Sequence, residues 1–237
     1  VVPVTLELGG KSPQIVFDDA DLEAALPTLV GACMQAAGQT CSAASRVLVQ
    51  RGIYDEVKRR MAKVYNGLKV GPASGNHDLG PLVSAKQKDI VSRYIARGKE
   101  DLTVAGEGAI LPDAPKAGHY VAPVLFSDVP PEHPLAQEEI FGPVQVLIPF
   151  RTEEEAISIA NGTPYGLVAG VWTRDGALQM RMARKLRAGQ VFINNYGAGG
   201  GVELPFGGVG QSGHGREKGF EALYGFSQLK TVAALHG

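Results

Sequence analysis

The chain has 237 residues, of which 44% are hydrophobic and 20% are charged, a composition typical of one or two globular domains. Its 23 basic residues nearly balance its 24 acidic residues, and a net charge of −1 argues against nucleic acid as a partner. The apolar runs are too short to span a bilayer. Two cysteines cannot build a disulfide framework, and no Cys/His spacing is typical of a metal site. We therefore expect no membrane, nucleic-acid or metal partner.

Helical and strand-like patterns alternate along the chain. Helices are predicted from Leu22 onward and over 54–67, 84–98, 152–160, 175–186 and 217–223. Strands are predicted over 46–50, 103–106, 120–126, 144–150, 166–173, 191–194 and 229–233. Pro27 lies inside the first helical pattern and is expected to kink that helix or to mark an early boundary. Because alternating strands and helices form parallel sheets, we expect an α/β fold with an open, mainly parallel sheet and flanking helices.

Cys41 is the first candidate for chemistry, because it lies among small and polar residues in the segment Gly38–Arg46. A thiolate is the strongest nucleophile that a side chain offers near neutral pH. Glu7, upstream, supplies a carboxylate that can act as a general base. The alternative for Glu7 is a carboxylate at a strand end that faces solvent. Cys33, in an apolar stretch, fits a buried structural cysteine.

Other conspicuous residues favour ordinary structural roles. The segment Gly208–Gly213 matches the dinucleotide-binding pattern G-x-G-x-x-G, but no strand precedes it and no acidic residue follows at the required distance. We interpret it as a structural loop. Asn194 is expected to anchor a loop by a hydrogen bond. The histidines are expected on the surface or in loops: His77, His119, His133, His214 and His236. The glycine-dense run 197–201 resembles an internal boundary more than any other break in the chain.

Four motifs in register carry a family resemblance. They are Leu6–Lys11, Gly38–Cys41, Glu138–Pro143, and the pair Pro205–Gly208 with Ser212–Glu217. With these motifs the chain resembles the NAD(P)-dependent aldehyde dehydrogenase superfamily over nearly its whole length. One departure is Gly210, where many members carry Lys.

The resemblance covers the C-terminal half of that family. It implies that residues 1–8 end a cofactor-binding domain, that 9–190 form the catalytic domain, and that 191–237 form a return segment with a C-terminal oligomerisation strand. Most of the cofactor-binding domain and an asparagine of the oxyanion hole would then precede Val1, and the absence of an initiator Met agrees with this. The resemblance also implies a cytoplasmic homo-oligomer, either a dimer or a tetramer.

The resemblance assigns roles to the candidate site residues. Cys41 would attack a small-molecule aldehyde, and Glu7 would activate the water that hydrolyses the resulting thioester. Glu139 would bind the nicotinamide ribose of NAD or NADP, with Phe141 beside the nicotinamide ring. Phe206 would face the substrate. Without the resemblance, Glu139 and Phe141 would be assigned to a helix end and to the core.

Two other functions stay open at this point. The chain could be a non-catalytic α/β association module, or a cofactor-free thiol esterase that uses Cys41 and Glu7 alone. The presence of Glu139 and Phe141 favours a nicotinamide enzyme over the esterase. Because part of the machinery is expected upstream, we expect little or no dehydrogenase activity from these 237 residues alone.

Overall fold

The computed structural model describes residues 2–197 and 201–237. The helices, in chain order, are α1 (Leu22–Met34), α2 (Tyr54–Tyr65), α3 (Ala85–Asp101), α4 (Pro134–Gln137), α5 (Glu153–Asn161), α6 (Gly176–Lys185) and α7 (Ala222–Gly225). The strands are β1 (Leu6–Glu7), β2 (Pro13–Val16), β3 (Arg46–Gln50), β4 (Lys69–Val70), β5 (Thr103–Glu107), β6 (Ala109–Ile110), β7 (Val124–Ser127), β8 (Val144–Phe150), β9 (Val168–Trp172), β10 (Gln190–Ile193) and β11 (Gly213–His214). The predicted boundary over 197–201 includes residues outside the described ranges.

A seven-stranded sheet organises the molecule. Its strand order is β10-β9-β2-β3-β8-β7-β5. All neighbouring strands are parallel except β5, which pairs with β7 in the antiparallel direction. Helices α1 and α2 pack against each other, α5 contacts β2, and α6 contacts β9. The predicted α/β fold with a mainly parallel sheet is therefore confirmed.

Side-chain caps explain where several helices begin. Asp21 accepts hydrogen bonds from the backbone N–H groups at the start of α1, and Thr152 and Asp175 do the same for α5 and α6. These caps satisfy N–H groups that have no partner inside a helix. Helix α1 runs through Pro27 to Met34, so the expectation of an early boundary at Pro27 was wrong. The proline removes one backbone donor, and the remaining turns continue around it.

The sequence pattern missed β2, an interior strand of the sheet that lies between β9 and β3. Pro13 and Gln14 interrupt its apolar run, yet all four of its residues are buried. The side chain of Gln14 is satisfied there, because its Oε1 accepts a 2.9 Å hydrogen bond from Nε1 of Trp172. A buried polar residue with partners is compatible with a central strand, and a search for apolar runs overlooks it.

The C-terminal elements differ from prediction. The predicted helix over 217–223 is absent, and the four-residue α7 lies in its place, because Lys218 and Gly219 have left-handed backbone with φ of 59° and 63°. The segment 229–233, predicted as an oligomerisation strand, pairs with no described residue of this chain, and Leu229 is fully exposed. Its pairing with another subunit stays a prediction. A strand requires hydrogen bonds from a neighbouring strand, and this chain supplies none there.

A second, two-stranded sheet joins the beginning of the chain to its end. Strand β1 pairs with β11, with Glu7 opposite Gly213. The division at 8/9 and 190/191 stays a prediction, and β10 extends across the second of these boundaries. Within residues 2–197 and 201–237, no helix combines the length and apolar character that a membrane crossing requires.

Candidate active site

Cys41 lies in the loop between α1 and β3, and its side chain is half-buried. Burial and the negative charge of Glu139 raise the pKa of the Cys41 thiol, with a smaller rise from Glu7. The backbone N–H groups of Ser42 and of Cys41 itself lower this pKa by hydrogen bonding to the sulfur. Since the rise prevails, the sulfur is a thiol at neutral pH and must lose its proton to become a nucleophile.

The backbone before Cys41 is held in an unusual conformation. Ala36, Ala37 and Gly38 are all left-handed, with φ of 50°, 55° and 76°. A β carbon at Gly38 would collide with the carbonyl group of Gly142. The Cys41 loop therefore packs directly against the backbone of the predicted cofactor motif Glu138–Pro143, and only glycine permits this approach.

Gly10, in the same motif as Glu7, contacts both Glu139 and Cys41. Its backbone N–H donates a 2.8 Å hydrogen bond to Oε1 of Glu139. A β carbon at Gly10 would collide with the carbonyl oxygen of Cys41. The structure thus brings the segments of Glu7, Cys41 and Glu139 together around one glycine, although these segments are far apart in the sequence.

Glu7 ends β1, and its carboxylate points toward the C-terminal loop. A β carbon at Gly207 would lie 2.6 Å from its Oε1. No described residue hydrogen bonds to either oxygen, and both oxygens are shielded from solvent. Burial and the nearby charge of Glu217 raise the pKa of Glu7, while Arg216 lowers it. A carboxylate with a raised pKa and no hydrogen-bond donor is a stronger proton acceptor than an ordinary surface glutamate.

Glu139 and Phe141 flank this cluster. Burial raises the pKa of Glu139, and its hydrogen bond from Gly10 and the charge of Lys11 lower it. Phe141 has left-handed backbone with φ of 57°, and its carbonyl oxygen accepts a 2.9 Å hydrogen bond from Nε2 of Gln87. Its side chain is 38% exposed. It is therefore not the core phenylalanine that its type alone would indicate, and its ring is accessible to a ligand.

Phe206 lies on the Glu7 side of the cluster. Its backbone forms a two-way antiparallel bridge with Glu217, and Nζ of Lys218 lies 5.7 Å from its ring centre. The adjacent Gly207 touches the Glu7 carboxylate. Phe206 is thus next to the candidate base, on the loop that shields it.

Two buried basic side chains that the sequence did not predict lie beside the site. The Arg46 guanidinium donates three 2.8 Å hydrogen bonds to the carbonyl oxygens of Lys11, Ile159 and Ala160. Lys11 is 2% exposed, and its Nζ has no hydrogen-bond partner among the described residues. Burial and the charge of Arg46 lower the pKa of Lys11 to about 7. Lysine and arginine are normally exposed, so a pattern of residue types gave no sign of this pair.

A buried glutamine supports the segment that follows Cys41. Nε2 of Gln145 donates hydrogen bonds of 2.6 Å to the carbonyl oxygen of Ala44 and 2.8 Å to that of Leu29. Its Oε1 accepts a 2.8 Å hydrogen bond from the hydroxyl of Tyr65. The loop that contains Cys41 is therefore tied to β8 and α1 through a fully hydrogen-bonded polar side chain, and this restricts the conformations that the loop can adopt.

The glycine-rich pattern Gly208–Gly213 has the structure of a loop, as expected. A single helical turn spans Gly210–Ser212, and β11 follows at once. The hydroxyl of Ser212 donates a 2.7 Å hydrogen bond to the carbonyl oxygen of Gly9, which ties this loop to the Glu7 motif. Within the described parts of the chain, no group of three His, Cys, Asp or Glu side chains could hold a metal ion.

Comparison with known proteins shows which family the chain resembles. A family model described as the Aldehyde dehydrogenase family matches residues 1–232. A betaine aldehyde dehydrogenase of Cereibacter sphaeroides (strain ATCC 17023) is 44% identical over 233 residues, which are 97% of this chain and 47% of that protein. The chain thus spans about half the length of the curated relatives that it matches.

Solved structures similar to this chain are also aldehyde dehydrogenases. A candidate aldehyde dehydrogenase from Burkholderia cenocepacia superimposes with a TM-score of 0.97 and is 64% identical, with 100% of this chain and 50% of that chain covered. An aldehyde dehydrogenase of Bacillus cereus, solved in complex with NAD+, superimposes with a TM-score of 0.91 and is 45% identical. In that case 97% of this chain and 46% of the other are covered.

Proposed function

Because the chain belongs to the aldehyde dehydrogenase family, we propose that it carries the catalytic residues for oxidation of an aldehyde to a carboxylic acid with NAD or NADP. The observation that carries this proposal is the meeting of the Glu7, Cys41 and Glu139 segments around Gly10. This arrangement supplies a nucleophile, a base and a polar group for a cofactor within one site.

Cys41 is the nucleophile in this proposal. Its sulfur loses a proton and bonds to the aldehyde carbon, and the carbonyl π electrons move to oxygen to give a thiohemiacetal oxyanion. The backbone N–H groups of Cys41 and Ser42, which lower the pKa of the thiol, are the proposed donors that stabilise this oxyanion. The product of oxidation at that carbon is a thioester on Cys41.

Glu7 is the proposed general base. Its carboxylate accepts a proton from water, the water oxygen bonds to the thioester carbon, and the C–S bond breaks to release the acid and the Cys41 thiol. The raised pKa of Glu7 suits it to this role, since a stronger base removes a proton from water more readily. The same carboxylate can accept the thiol proton before the first attack.

Glu139 and Phe141 are the proposed cofactor contacts. Oε1 of Glu139 accepts the Gly10 N–H, and Oε2 is available to accept a hydrogen bond from a ribose hydroxyl. The exposed ring of Phe141 offers a flat apolar surface for an aromatic cofactor ring. When bound, NAD or NADP supplies the hydride acceptor for the oxidation.

Phe206 is the proposed contact on the substrate side, and an oligomer is proposed for the C-terminal segment. The unpaired 229–233 segment presents exposed Leu229 and Val232, which agrees with burial against another subunit. A cytoplasmic location stays a prediction from the family resemblance.

Acylation by an activated ester tests the proposed chemistry with the chain as it is. p-Nitrophenyl acetate should give a burst of nitrophenolate and an acetyl group that mass spectrometry assigns to Cys41. Cys41→Ser should abolish the burst, and Cys33→Ser, at the buried cysteine, should retain it. Glu7→Gln should slow deacylation by about 10²-fold or more, and it should also slow the burst because the carboxylate accepts the thiol proton.

The result that would overturn the proposal is an unchanged burst in Cys41→Ser, or acetylation elsewhere. The oxidative half-reaction is tested by NADH formation from a panel of aldehydes that includes betaine aldehyde. That assay requires the longer protein if the family's cofactor domain precedes Val1. In that protein, Cys41→Ser must remove NADH formation for every aldehyde in the panel.

A further inference from the structure

The hydroxyl of Tyr196 donates a 2.7 Å hydrogen bond to the carbonyl oxygen of Ser42, the residue after Cys41. Tyr196 follows β10, and its half-buried ring packs on the backbone of β9, where a β carbon at Gly170 would lie 2.9 Å from Cδ2. The bond therefore joins the loop of Cys41 to a strand end far away in the sequence.

We propose that Tyr196 is a positioning residue for Cys41, because it holds the backbone of Ser42, the residue bonded to Cys41. Its hydroxyl fixes the Ser42 carbonyl oxygen, and the backbone N–H of the same residue lowers the pKa of the Cys41 thiol. Holding the carbonyl oxygen restricts the movement of the loop at the cysteine. This inference rests on the proposed role of Cys41.

A second contact fixes Tyr196 itself. Asn194 has left-handed backbone with φ of 50°. Its Oδ1 accepts a 3.0 Å hydrogen bond from the N–H of Thr173, and its Nδ2 donates a 3.0 Å hydrogen bond to the carbonyl oxygen of the same residue. This two-way bond sets the direction of the chain as it leaves β10 toward Tyr196. The hydrogen bonds of Asn194 to Thr173 thus anchor the segment that contains Tyr196, two residues later.

The hydroxyl of Tyr196 remains a donor throughout the working pH range. Burial raises its pKa well above that of an exposed tyrosine. The negative charges of Glu139 and Glu7 act on the Cys41 thiol, and the charge of Cys41 acts on the hydroxyl of Tyr196. Replacement of Tyr196 by Phe leaves both carboxylates in place, so a change in the titration of Cys41 reports on the tyrosine hydroxyl.

The test is the pH dependence of Cys41 alkylation by iodoacetamide in the whole chain, with the modified peptide quantified by mass spectrometry. Loosening Ser42 weakens the effect by which its N–H lowers the pKa of the thiol, so Tyr196→Phe should move the midpoint of alkylation to higher pH. We expect a shift of about half a pH unit, which lowers the alkylation rate near neutral pH about threefold. Tyr224→Phe, at an exposed tyrosine, is the matched control and should leave the midpoint unchanged.

A Tyr196→Phe chain with a lower thermal midpoint but an unchanged alkylation midpoint would overturn the inference, because the bond would then be merely structural. If Tyr196→Phe does not fold, Asn194→Gly takes its place: it keeps the left-handed backbone, removes the bonds to Thr173 and should shift the midpoint in the same direction. Alkylation of Cys41 requires no catalysis, so it tests Tyr196 separately from the proposed function. A shifted alkylation midpoint in Tyr196→Phe, together with an intact nitrophenolate burst in Cys41→Ser, would support the positioning role of Tyr196 and refute Cys41 as the nucleophile. An unchanged alkylation midpoint in Tyr196→Phe, together with a lost burst in Cys41→Ser, would refute only the positioning role of Tyr196.

Discussion

The backbone N–H of Gly10 donates a hydrogen bond to the carboxylate of Glu139, while the α carbon of Gly10 lies against the carbonyl of Cys41. This residue has no side chain, yet it holds the candidate cofactor ligand and the candidate nucleophile in one place. The site therefore depends on an approach of backbone to backbone that any larger residue would prevent.

Gly10→Ala should destabilise the chain by about 1–3 kcal/mol, because the new methyl group collides with backbone that cannot easily move. The free energy of unfolding in urea measures this cost. The rate at which iodoacetamide alkylates Cys41 should change as well, because the methyl group displaces the loop that contains Cys41. Gly31→Ala is the control: no atom lies within 4 Å of its β-carbon position in α1, and it should stabilise the chain by about 0.5–1 kcal/mol. Equal stability of Gly10→Ala and the parent chain would contradict the packing described here.

Ala36→Asn should stabilise the chain. Ala36 is exposed and left-handed, a conformation that is unfavourable for alanine and better tolerated by asparagine. We expect a gain of about 0.5–1 kcal/mol in the free energy of unfolding. Ala24→Asn, in the first turns of α1, should instead cost about 0.5 kcal/mol because asparagine is a poorer helix former. A loss of stability at position 36 would show that no strain is relieved there.

Arg46→Lys should destabilise the chain by about 3 kcal/mol, although it conserves the charge. One ammonium group cannot reach the three carbonyl oxygens that the guanidinium bonds. Arg97→Lys is the comparison, since Arg97 is 55% exposed and its Nε lies 3.7 Å from Asp101. That change should alter the free energy of unfolding by less than about 0.5 kcal/mol. Similar effects at both positions would contradict the role assigned to Arg46.

Glu7→Gln should stabilise the chain more at pH 7 than at pH 4. The pKa of Glu7 is raised above 4.5 in the folded chain, so its favourable contribution is complete below that value and is lost as pH rises through the folded pKa. Glutamine does not titrate and avoids this loss. The measurement is the free energy of unfolding across this pH range.

Glu153→Gln should show the opposite sign in the same experiment. Hydrogen bonds from Arg181 lower the pKa of Glu153, so its contribution is present above the unfolded pKa and is lost as pH falls. Its replacement should therefore cost stability at pH 7 and little at low pH. Parallel pH dependences for the two variants would refute the environment described for Glu7.

Local patterns predicted most elements of the large sheet, and they failed where local chemistry was atypical. The strand β8 and the helix α5 were found from apolar runs and a Thr152 cap. Strand β2 was missed because Gln14 is satisfied by a residue distant in sequence. The 229–233 segment has a strand-like composition, but no strand of the described chain pairs with it.

The sequence by itself determined the α/β alternation, the family resemblance and the residue types at Glu7, Cys41 and Glu139, because periodicity and motifs are properties of single segments. Only the tertiary structure decided that Gly10 joins these segments, that Lys11 is buried, and that Tyr196 holds the residue after Cys41. The physical reason is that such contacts depend on the order of strands in the sheet. Strand order is set by packing of the whole chain, and no local pattern carries it.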